Sequence, residues 1–168
     1  INAGFTADYL AEILPLFFAH RGFDIEIYVG PYGGLQTEIL DSGSGFWTFD
    51  PDLVIWLPTH RDLQYVPAID ANAEDVKKLV DSELESWRAM WARTQIPIIQ
   101  MTFDPPPTRP LGEGDGLYPG GRLHYVRTVN AAMIEAVSVA VHAVGRVKFQ
   151  PGIPEILLSP CPKLHQGC

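Results

Sequence analysis

The 168 residues of this chain include 46% hydrophobic and 19% charged residues, which is the composition of one ordinary folded domain. The formal net charge of −8 at pH 7 argues against nucleic acid or an anionic membrane as the main partner, because phosphate-binding surfaces need clustered lysine and arginine. No apolar run approaches the roughly 18 residues that cross a bilayer, which argues against a membrane-spanning segment.

The N-terminal part of the chain predicts a short strand followed by a helix. Residues 1–6 are mostly small or apolar and have the character of the end of a strand. A helix is predicted over residues 7–21, with Thr6 or Asp8 as its cap. Its apolar face would carry Leu10, Ile13, Leu14, Phe17 and Phe18. Pro15 lies inside this pattern, and we expect it to kink or split the helix because proline removes one backbone donor.

Two strands and a glycine-rich turn are predicted next. The alternation of residues 23–29 indicates a strand, and a turn at residues 30–34 leads into a short helix at residues 35–40. A loop rich in serine and glycine follows. The near-continuous apolar run of residues 53–57 is typical of a strand that is buried on both faces.

The rest of the body alternates long helices with strands. The predicted elements are a helix over residues 73–94, a buried strand over 96–103, a loop over 104–121, a helix over 122–144 and a last strand over 146–149. Asn72 is predicted to cap the first of these helices. The core face of that helix carries Val76, Leu79, Val80, Leu84, Trp87, Met90 and Trp91. The proline- and glycine-rich loop is long enough to cover a site or bind at one.

Strands that alternate with helices imply right-handed crossovers and a mostly parallel sheet. We therefore predict an α/β domain of three layers, α/β/α, around a mostly parallel sheet of about five strands, as in flavodoxin-like folds. Such sheets bind ligands at the carboxyl ends of their strands, where the strand order reverses. In this chain those ends are residues 4–6, 30–34, 58–62 and 103–107.

Three segments of the chain resemble the N-terminal region of FkbH-like proteins. They are Gly4-Phe5-Thr6-Ala7-Asp8, Ile27-Tyr28-Val29-Gly30-Pro31-Tyr32, and the stretch from Leu40-Asp41-Ser42-Gly43-Ser44-Gly45 into Asp50-Pro51-Asp52-Leu53-Val54-Ile55. The resemblance covers roughly residues 1–149 and implies an SGNH-hydrolase-like domain. In that family, which belongs to polyketide and related pathways, such a domain precedes a haloacid-dehalogenase-type domain. The second domain transfers a glyceryl group from a phosphorylated donor to an acyl carrier protein.

The resemblance also implies positions for catalytic groups, and most of the expected set is altered. Thr6 stands where the SGNH fold has its serine nucleophile, without the aspartate that precedes that serine. Gly30, Gly33 or Gly34 would supply an oxyanion amide, and His60 or Arg61 would replace a missing asparagine donor. His165 has the spacing of the catalytic histidine, but proline stands at the place of its aspartate.

The same residues have plainer explanations. Thr6 is a residue type that caps helices, and we favour that role over a nucleophile. His60 follows a predicted strand, so it either lines a site or is an ordinary loop histidine. Asp62 is equally suited to binding a ligand and to fixing the turn of its loop.

The last part of the chain differs from the body. Residues 150–168 show no helical or strand period, so we predict an irregular tail after a domain of residues 1–149, and we leave open whether the tail is native sequence. Cys161 and Cys168 are the two cysteines of the chain, so the body has no disulfide framework and we predict a cytoplasmic location. With His165 they offer three metal ligands where a structural zinc site uses four. We therefore expect no metal and no cofactor.

Two functions from different classes follow. The first is a degenerate SGNH-like accessory domain that assists glyceryl or acyl transfer, with an acyl carrier protein or a small acyl or phosphoglyceryl substrate as partner. Phosphate chemistry would then belong to another domain, because Asp50-Pro51-Asp52 precedes its strand instead of following it. The second is a small esterase or acyl hydrolase with Thr6 as nucleophile and His165 as base. A structural or oligomerising domain without a ligand is a third hypothesis.

Overall fold

A computed structural model of the chain describes residues 1–144 and 147–149. In this part, four strands form one sheet in the order β1-β2-β3-β4, and all neighbouring strands are parallel. The strands are β1 (Asn2–Ala3), β2 (Val54–Leu57), β3 (Ile98–Gln100) and β4 (Val147–Phe149). The helices are α1 (Asp8–His20), α2 (Leu35–Leu40), α3 (Gly45–Phe49), α4 (Ala73–Arg93) and α5 (Arg122–Val144), with a 3-10 turn at Gly112–Gly116. The predicted α/β class and parallel sheet are confirmed.

The predicted number of about five strands is wrong for the described residues, because residues 23–29 form no strand. This segment nevertheless lies beside β1. The amino group of Ile1 donates to the carbonyl of Tyr28 at 2.6 Å, and the amide of Gly30 donates to the carbonyl of Ile1 at 2.9 Å. These two bonds are the pair that a parallel ladder makes around one residue, and the pairing extends no further. With this segment included, the order along the sheet is the flavodoxin-like order 2-1-3-4-5.

The main core lies between the sheet and the long helices α4 and α5. Trp56 of β2 packs edge-on against Trp87 of α4, with ring centroids 6.0 Å apart, and Trp87 in turn packs against Phe103 at 5.4 Å. Gln100 of β3 accepts a hydrogen bond at 2.8 Å from the indole of Trp91. The side chains of Trp56 and Gln100 therefore point to the face of the sheet that α4 covers.

The sequence places the start of α4 correctly. The side chain of Asn72 accepts hydrogen bonds from the amides of Glu74 and Asp75, at 2.9 and 3.0 Å, and the Asp75 side chain accepts from the amide of Asn72. This reciprocal capping box satisfies amides that have no partner inside the helix. The predicted cap at Asn72 is confirmed, and the helix ends one residue before the predicted boundary.

Helix α1 differs from the prediction at its start and at its proline. Its cap residue is Ala7, and no side chain caps it, so the predicted caps by Thr6 or Asp8 are wrong. The helix also runs unbroken through Pro15, so the predicted split is wrong and the kink stays a prediction. The helix continues because the proline removes one donor while the neighbouring turns keep theirs. No residue of α1 is buried.

Two polar side chains fix the long loop that precedes α5. Asp115, which is fully buried, accepts hydrogen bonds from the amides of Leu111 at 3.2 Å and Leu123 at 2.8 Å. Asn130 of α5 accepts from the amide of Phe103 and donates to its carbonyl, both at 2.9 Å. The chain that leaves β3 is therefore held against α5 at the carboxyl edge of the sheet.

In the part of the chain that the structure describes, no helix is both long and apolar enough to cross a bilayer. The predicted tail at residues 150–168, with Cys161, His165 and Cys168, lies outside the described residues.

Candidate functional site

A cavity of about 400 Å³ opens at the carboxyl ends of β1 and β2. It is lined by Gly4, Tyr32, Gly33, Leu35, Gln36, Thr37, Arg61, Asp62, Leu63, Gln64 and Trp87. The loops that follow β1 and β2 contribute to it, together with the start of α2 and one side chain of α4. This is the edge at which a parallel α/β sheet is expected to bind ligands.

Asp62 is fixed in one wall of the cavity by the turn that follows β2. Its amide donates to the carbonyl of Thr59 at 3.0 Å, and its Oδ2 accepts from the amide and the hydroxyl of Thr59 at 2.7 and 3.0 Å. Gly4 faces this carboxylate so closely that a Cβ at position 4 would lie 2.0 Å from Oδ2. Glycine at position 4 is therefore required for the loop after β1 to approach Asp62.

A tight turn before α2 forms the opposite wall. Gly33 lines the cavity with a φ of 64°, a left-handed conformation that glycine adopts without strain. The amide of Gly34 donates to the carbonyl of Pro31 at 3.0 Å, and Gly34 precedes α2 without lining the cavity. The turn thus directs Gly33, and not Gly34, toward the space.

The buried carboxylate of Glu38 ties α2 to its surroundings. It accepts from the hydroxyl of Tyr28 at 2.9 Å and from the amide of Phe46 at 3.0 Å. Desolvation raises the pKa of Tyr28. The hydrogen bond to Glu38 and the negative charge of Glu38 raise this pKa further. Since these contacts join the segment beside β1 to α2 and α3, they stabilise the wall that carries Gly33.

Glu83 forms hydrogen bonds with two residues that line the cavity, Gln64 and Trp87. It is fully buried and accepts from the indole of Trp87 at 3.1 Å and from the amides of Gln64 and Tyr65 at 3.0 and 3.3 Å. Burial raises the pKa of Glu83, and the three hydrogen bonds partly oppose that effect. The pKa of Tyr125 is also raised, first by burial and then by the charge of Glu83. Glu83 therefore holds both the loop at residues 63–65 and the ring of Trp87 in place.

The charge of the cavity is carried by two neighbouring residues. Among the described residues that line it, Arg61 is the cation and Asp62 is the anion. The carboxylate of Asp62 is already bonded to Thr59, whereas the exposed guanidinium of Arg61 has no ion pair within the described part of the chain. An anionic group of a ligand would therefore find one available positive charge here.

His60 lies beside the cavity and does not line it. Its Nδ1 is 3.0 Å from Oδ1 of Asp104, and its backbone amide donates to the same oxygen at 2.7 Å. The His60 side chain is 19% exposed and that of Asp104 is 52% exposed. The pair can hold an imidazole in a fixed orientation at the same edge of the sheet.

Thr6 is exposed and does not line the cavity. Within residues 1–144 and 147–149, no hydrogen bond to its hydroxyl is present. Among the residues predicted for the site, the structure brings Gly33 and Asp62 together at the cavity and places His60 next to it. Gly34 adjoins the cavity wall, Thr6 lies outside it, and His165 falls outside the described residues.

Several site residues were not predicted from the sequence. Trp87 was assigned to the core alone, and Tyr32, Gln36 and Thr37 were not singled out. The sequence did contain one indication for Asp104. This residue directly follows the buried strand predicted over residues 96–103, which places it at the carboxyl edge of the sheet. In the residues that the structure describes, no cluster of three or more histidine, cysteine, aspartate or glutamate side chains could hold a metal ion.

Comparison with known proteins gives one family and one fold relative. The model of the family described as FkbH, N-terminal domain, matches residues 3–140. No curated protein matches the chain. A crystal structure of the N-terminal part of the protein BF1531 from Bacteroides fragilis, described as containing a phosphatase domain complexed with Mg, is similar in fold, with a TM-score of 0.65 and 15% sequence identity. The match covers 88% of this chain and 38% of that one.

Proposed function

This chain belongs to the FkbH N-terminal domain family, and we propose that it is a substrate-holding accessory domain of a cytoplasmic biosynthetic protein. In this proposal it assists transfer of a glyceryl or acyl group to an acyl carrier protein and binds the small substrate in the cavity at the carboxyl ends of β1 and β2. The observation that carries the proposal is the position of that cavity, with Gly33 and Asp62 in its walls.

The lining residues favour a small anionic ligand. Arg61 supplies a positive charge, and Gln36, Thr37 and Gln64 supply polar side chains, while Leu35 and Trp87 offer apolar surface. A short polar chain that ends in a phosphate or carboxylate matches this combination, because a guanidinium binds either group through paired hydrogen bonds. A phosphoglyceryl compound has this chemistry.

The geometry favours binding over hydrolysis. A hydroxyl nucleophile needs a base within hydrogen-bond reach and oriented donors for the oxyanion. Thr6 lies outside the cavity wall and has no such base among the described residues. A fixed turn that presents Arg61 and Asp62 is suited to orient a substrate for a reaction that another domain performs.

Titration of the 168-residue chain with 3-phosphoglycerate, followed by calorimetry or by shifts of backbone amide resonances, tests the ligand assignment. We expect saturable binding that Arg61→Gln weakens by about tenfold, because the charge-assisted contact is lost. Arg88→Gln is the matched control, since Arg88 is an exposed arginine that does not line the cavity. Absence of binding at millimolar ligand, or equal affinity in Arg61→Gln, would contradict the assignment.

A separate experiment tests the partner. A carrier protein loaded with phosphopantetheine is titrated into this chain and into a longer member of the family. We expect both to bind, the longer protein more tightly because it offers additional surface. If only the longer protein binds, the carrier contact belongs to another domain, and the partner assignment fails while the ligand assignment stands.

A further inference from the structure

One carboxylate oxygen of Asp62 is left open in the wall of the cavity. The other oxygen, Oδ2, accepts from the amide and the hydroxyl of Thr59 at 2.7 and 3.0 Å, and it is also the oxygen that faces Gly4. Within the described residues, Oδ1 accepts no hydrogen bond, and it is not one of the buried polar atoms that lack a partner. Since Asp62 lines the cavity, its Oδ1 is an acceptor that solvent or a ligand can reach.

The turn around Asp62 needs only one side-chain acceptor. Asparagine and aspartate both stabilise such turns, because one side-chain oxygen is enough to accept from a backbone amide three residues earlier. The bonds from Thr59 therefore explain why a short side chain with an oxygen stands at position 62. They do not explain the second oxygen or the negative charge, so these two features point to a ligand.

The negative charge of Asp62 has no counter-ion in the part of the chain that the structure describes. Asp62 forms no ion pair there, and the guanidinium of the neighbouring Arg61 does not pair with it. An ionised carboxylate accepts hydrogen bonds and donates none. The group that complements Oδ1 in a ligand is therefore a donor, either a hydroxyl or an ammonium group.

The turn holds this carboxylate in a fixed position. The amide of Asp62 donates to the carbonyl of Thr59 at 3.0 Å, and the amide of Arg61 donates to the hydroxyl of Thr59 at 3.3 Å. The amide of His60 donates to Asp104 at 2.7 Å. A ligand would meet the open oxygen without first ordering the loop, which lowers the entropic cost of binding.

We propose that Asp62 makes the cavity selective for a ligand that carries a hydroxyl or ammonium group beside its anionic group. This inference rests on the proposed function, because it takes Arg61 as the contact of the anion. Oδ1 of Asp62 accepts a hydrogen bond from the donor group of the ligand, while Arg61 binds the phosphate or carboxylate. Both residues line the cavity and are consecutive in the chain, so the two ligand groups lie close together, as they do in α-hydroxy acids and α-amino acids.

The selectivity follows from the cost of leaving the open oxygen without a partner. A ligand without a donor group displaces water from Oδ1 and forms no hydrogen bond in its place. A plain acyl or phosphoalkyl chain would therefore bind less tightly than its hydroxylated or aminated counterpart. Because the cavity is open to solvent, we expect a difference of about tenfold in affinity.

Calorimetric titration of the 168-residue chain with three ligands of one carbon skeleton tests the selectivity. O-phosphoserine, 3-phosphoglycerate and 3-phosphonooxypropanoate carry an ammonium group, a hydroxyl group and a hydrogen atom at the same carbon. We expect the first two to bind about tenfold more tightly than the third. Tighter binding of O-phosphoserine than of 3-phosphoglycerate assigns the site to amino acids, and the reverse order assigns it to hydroxy acids; both orders support the proposal.

The variant Asp62→Asn separates the selectivity from the turn. Asparagine can keep both hydrogen bonds from Thr59 with its oxygen, and its amide nitrogen, a donor, then faces the cavity. We expect a wild-type midpoint in chemical denaturation and equal affinities for 3-phosphoglycerate and 3-phosphonooxypropanoate. Asp70→Asn is the matched control that keeps the wild-type difference, since Asp70 is exposed on the loop after β2 and does not line the cavity.

The possible failures of this proposal and of the proposed function are distinct. Equal affinity of the wild-type chain for 3-phosphoglycerate and 3-phosphonooxypropanoate overturns the selectivity and leaves the proposed function standing, because an anion site would still be present. Binding of none of the three ligands overturns both. A preference of undiminished size in Asp62→Asn shows that another residue contacts the donor group, and it overturns the role of Asp62.

Discussion

The carboxylate of Asp104 accepts a hydrogen bond from the backbone amide of His60 at 2.7 Å, and the same oxygen lies 3.0 Å from Nδ1 of that histidine. The two residues are 44 positions apart and belong to the loops that follow β2 and β3. The pair joins these loops at the carboxyl edge of the sheet. Asp104 therefore holds the turn that carries Arg61 and Asp62 through His60, while the loop after β1 approaches the same turn closely at Gly4.

We expect Asp104→Ala to loosen the turn that follows β2. A hydrogen bond to a charged acceptor contributes about 1.5–3 kcal/mol when sheltered, and the half exposure of Asp104 places the expected loss near the lower end. Amide hydrogen exchange at His60 should become about tenfold faster. His60→Ala is the control, because it removes the ring contact and keeps the backbone hydrogen bond. Equal acceleration in both variants would show that the ring contact, and not the amide bond, holds the turn.

Gly4→Ala should disturb the cavity wall directly. The new Cβ would lie 2.0 Å from Oδ2 of Asp62 and 2.7 Å from the hydroxyl of Thr59, so the bonds between these two residues must be displaced. We expect a loss of about 1–3 kcal/mol in the free energy of unfolding, measured by chemical denaturation. Gly43→Ala is the matched control, because its Cβ would meet its nearest neighbour at 3.4 Å. A Gly4→Ala variant as stable as the control would mean that the loop after β1 shifts freely.

Glu83→Gln should destabilise the protein in a pH-dependent manner. The amide group of glutamine would face at least one of the N–H donors of Gln64, Tyr65 and Trp87, which costs about 1–3 kcal/mol. The pKa of Glu83 is raised above its ordinary value of 4.5, so the folded chain holds this proton more tightly than the unfolded chain. Its contribution to stability is therefore largest below pH 4.5 and is lost as the pH rises through the raised pKa.

Denaturation of wild type and Glu83→Gln across this pH range measures the effect. The stability difference between the two proteins should shrink as the pH rises from 4.5. The comparison cancels the titration of the other carboxylates. A difference that grows with pH would mean that the three hydrogen bonds outweigh burial and lower the pKa.

Asn130 should be essential for anchoring the loop after β3. Asn130→Ala removes both of its hydrogen bonds to Phe103 and leaves two backbone groups without a partner, which we expect to cost about 2–3 kcal/mol of unfolding free energy. Asn130→Asp should be at least as harmful, because a carboxylate oxygen would face the carbonyl of Phe103. Thr128→Ala is the control on the same helix, since within the described residues the Thr128 hydroxyl donates to the carbonyl of His124 and makes no other hydrogen bond. Chemical denaturation of the three variants checks the order.

Much of the fold follows from local sequence patterns. The period of α4 and its Asn72 cap act over three or four residues, so they can be read directly from the chain. The apolar run that forms β2 likewise indicates a buried parallel strand. Because the carboxyl ends of parallel strands meet at one edge, the alternation of helices and strands also located the region of the cavity.

Other features depend on contacts between distant residues and could be decided only by the tertiary structure. Trp87 occupies the core face of α4 as predicted, and the approach of the loop after β2 makes it part of the cavity floor as well. Residues 23–29 alternate like a strand, but the short β1 pairs with them only around Ile1, so no ladder forms.

The sequence also did not predict that His60 pairs with Asp104. Nor did it predict that Glu83 is buried on the otherwise apolar core face of α4. The sequence by itself determined the elements and the edge where a site could lie, because periodicity and capping are local. The tertiary structure decided which side chains meet at that edge, because those meetings depend on how loops tens of residues apart pack against one another.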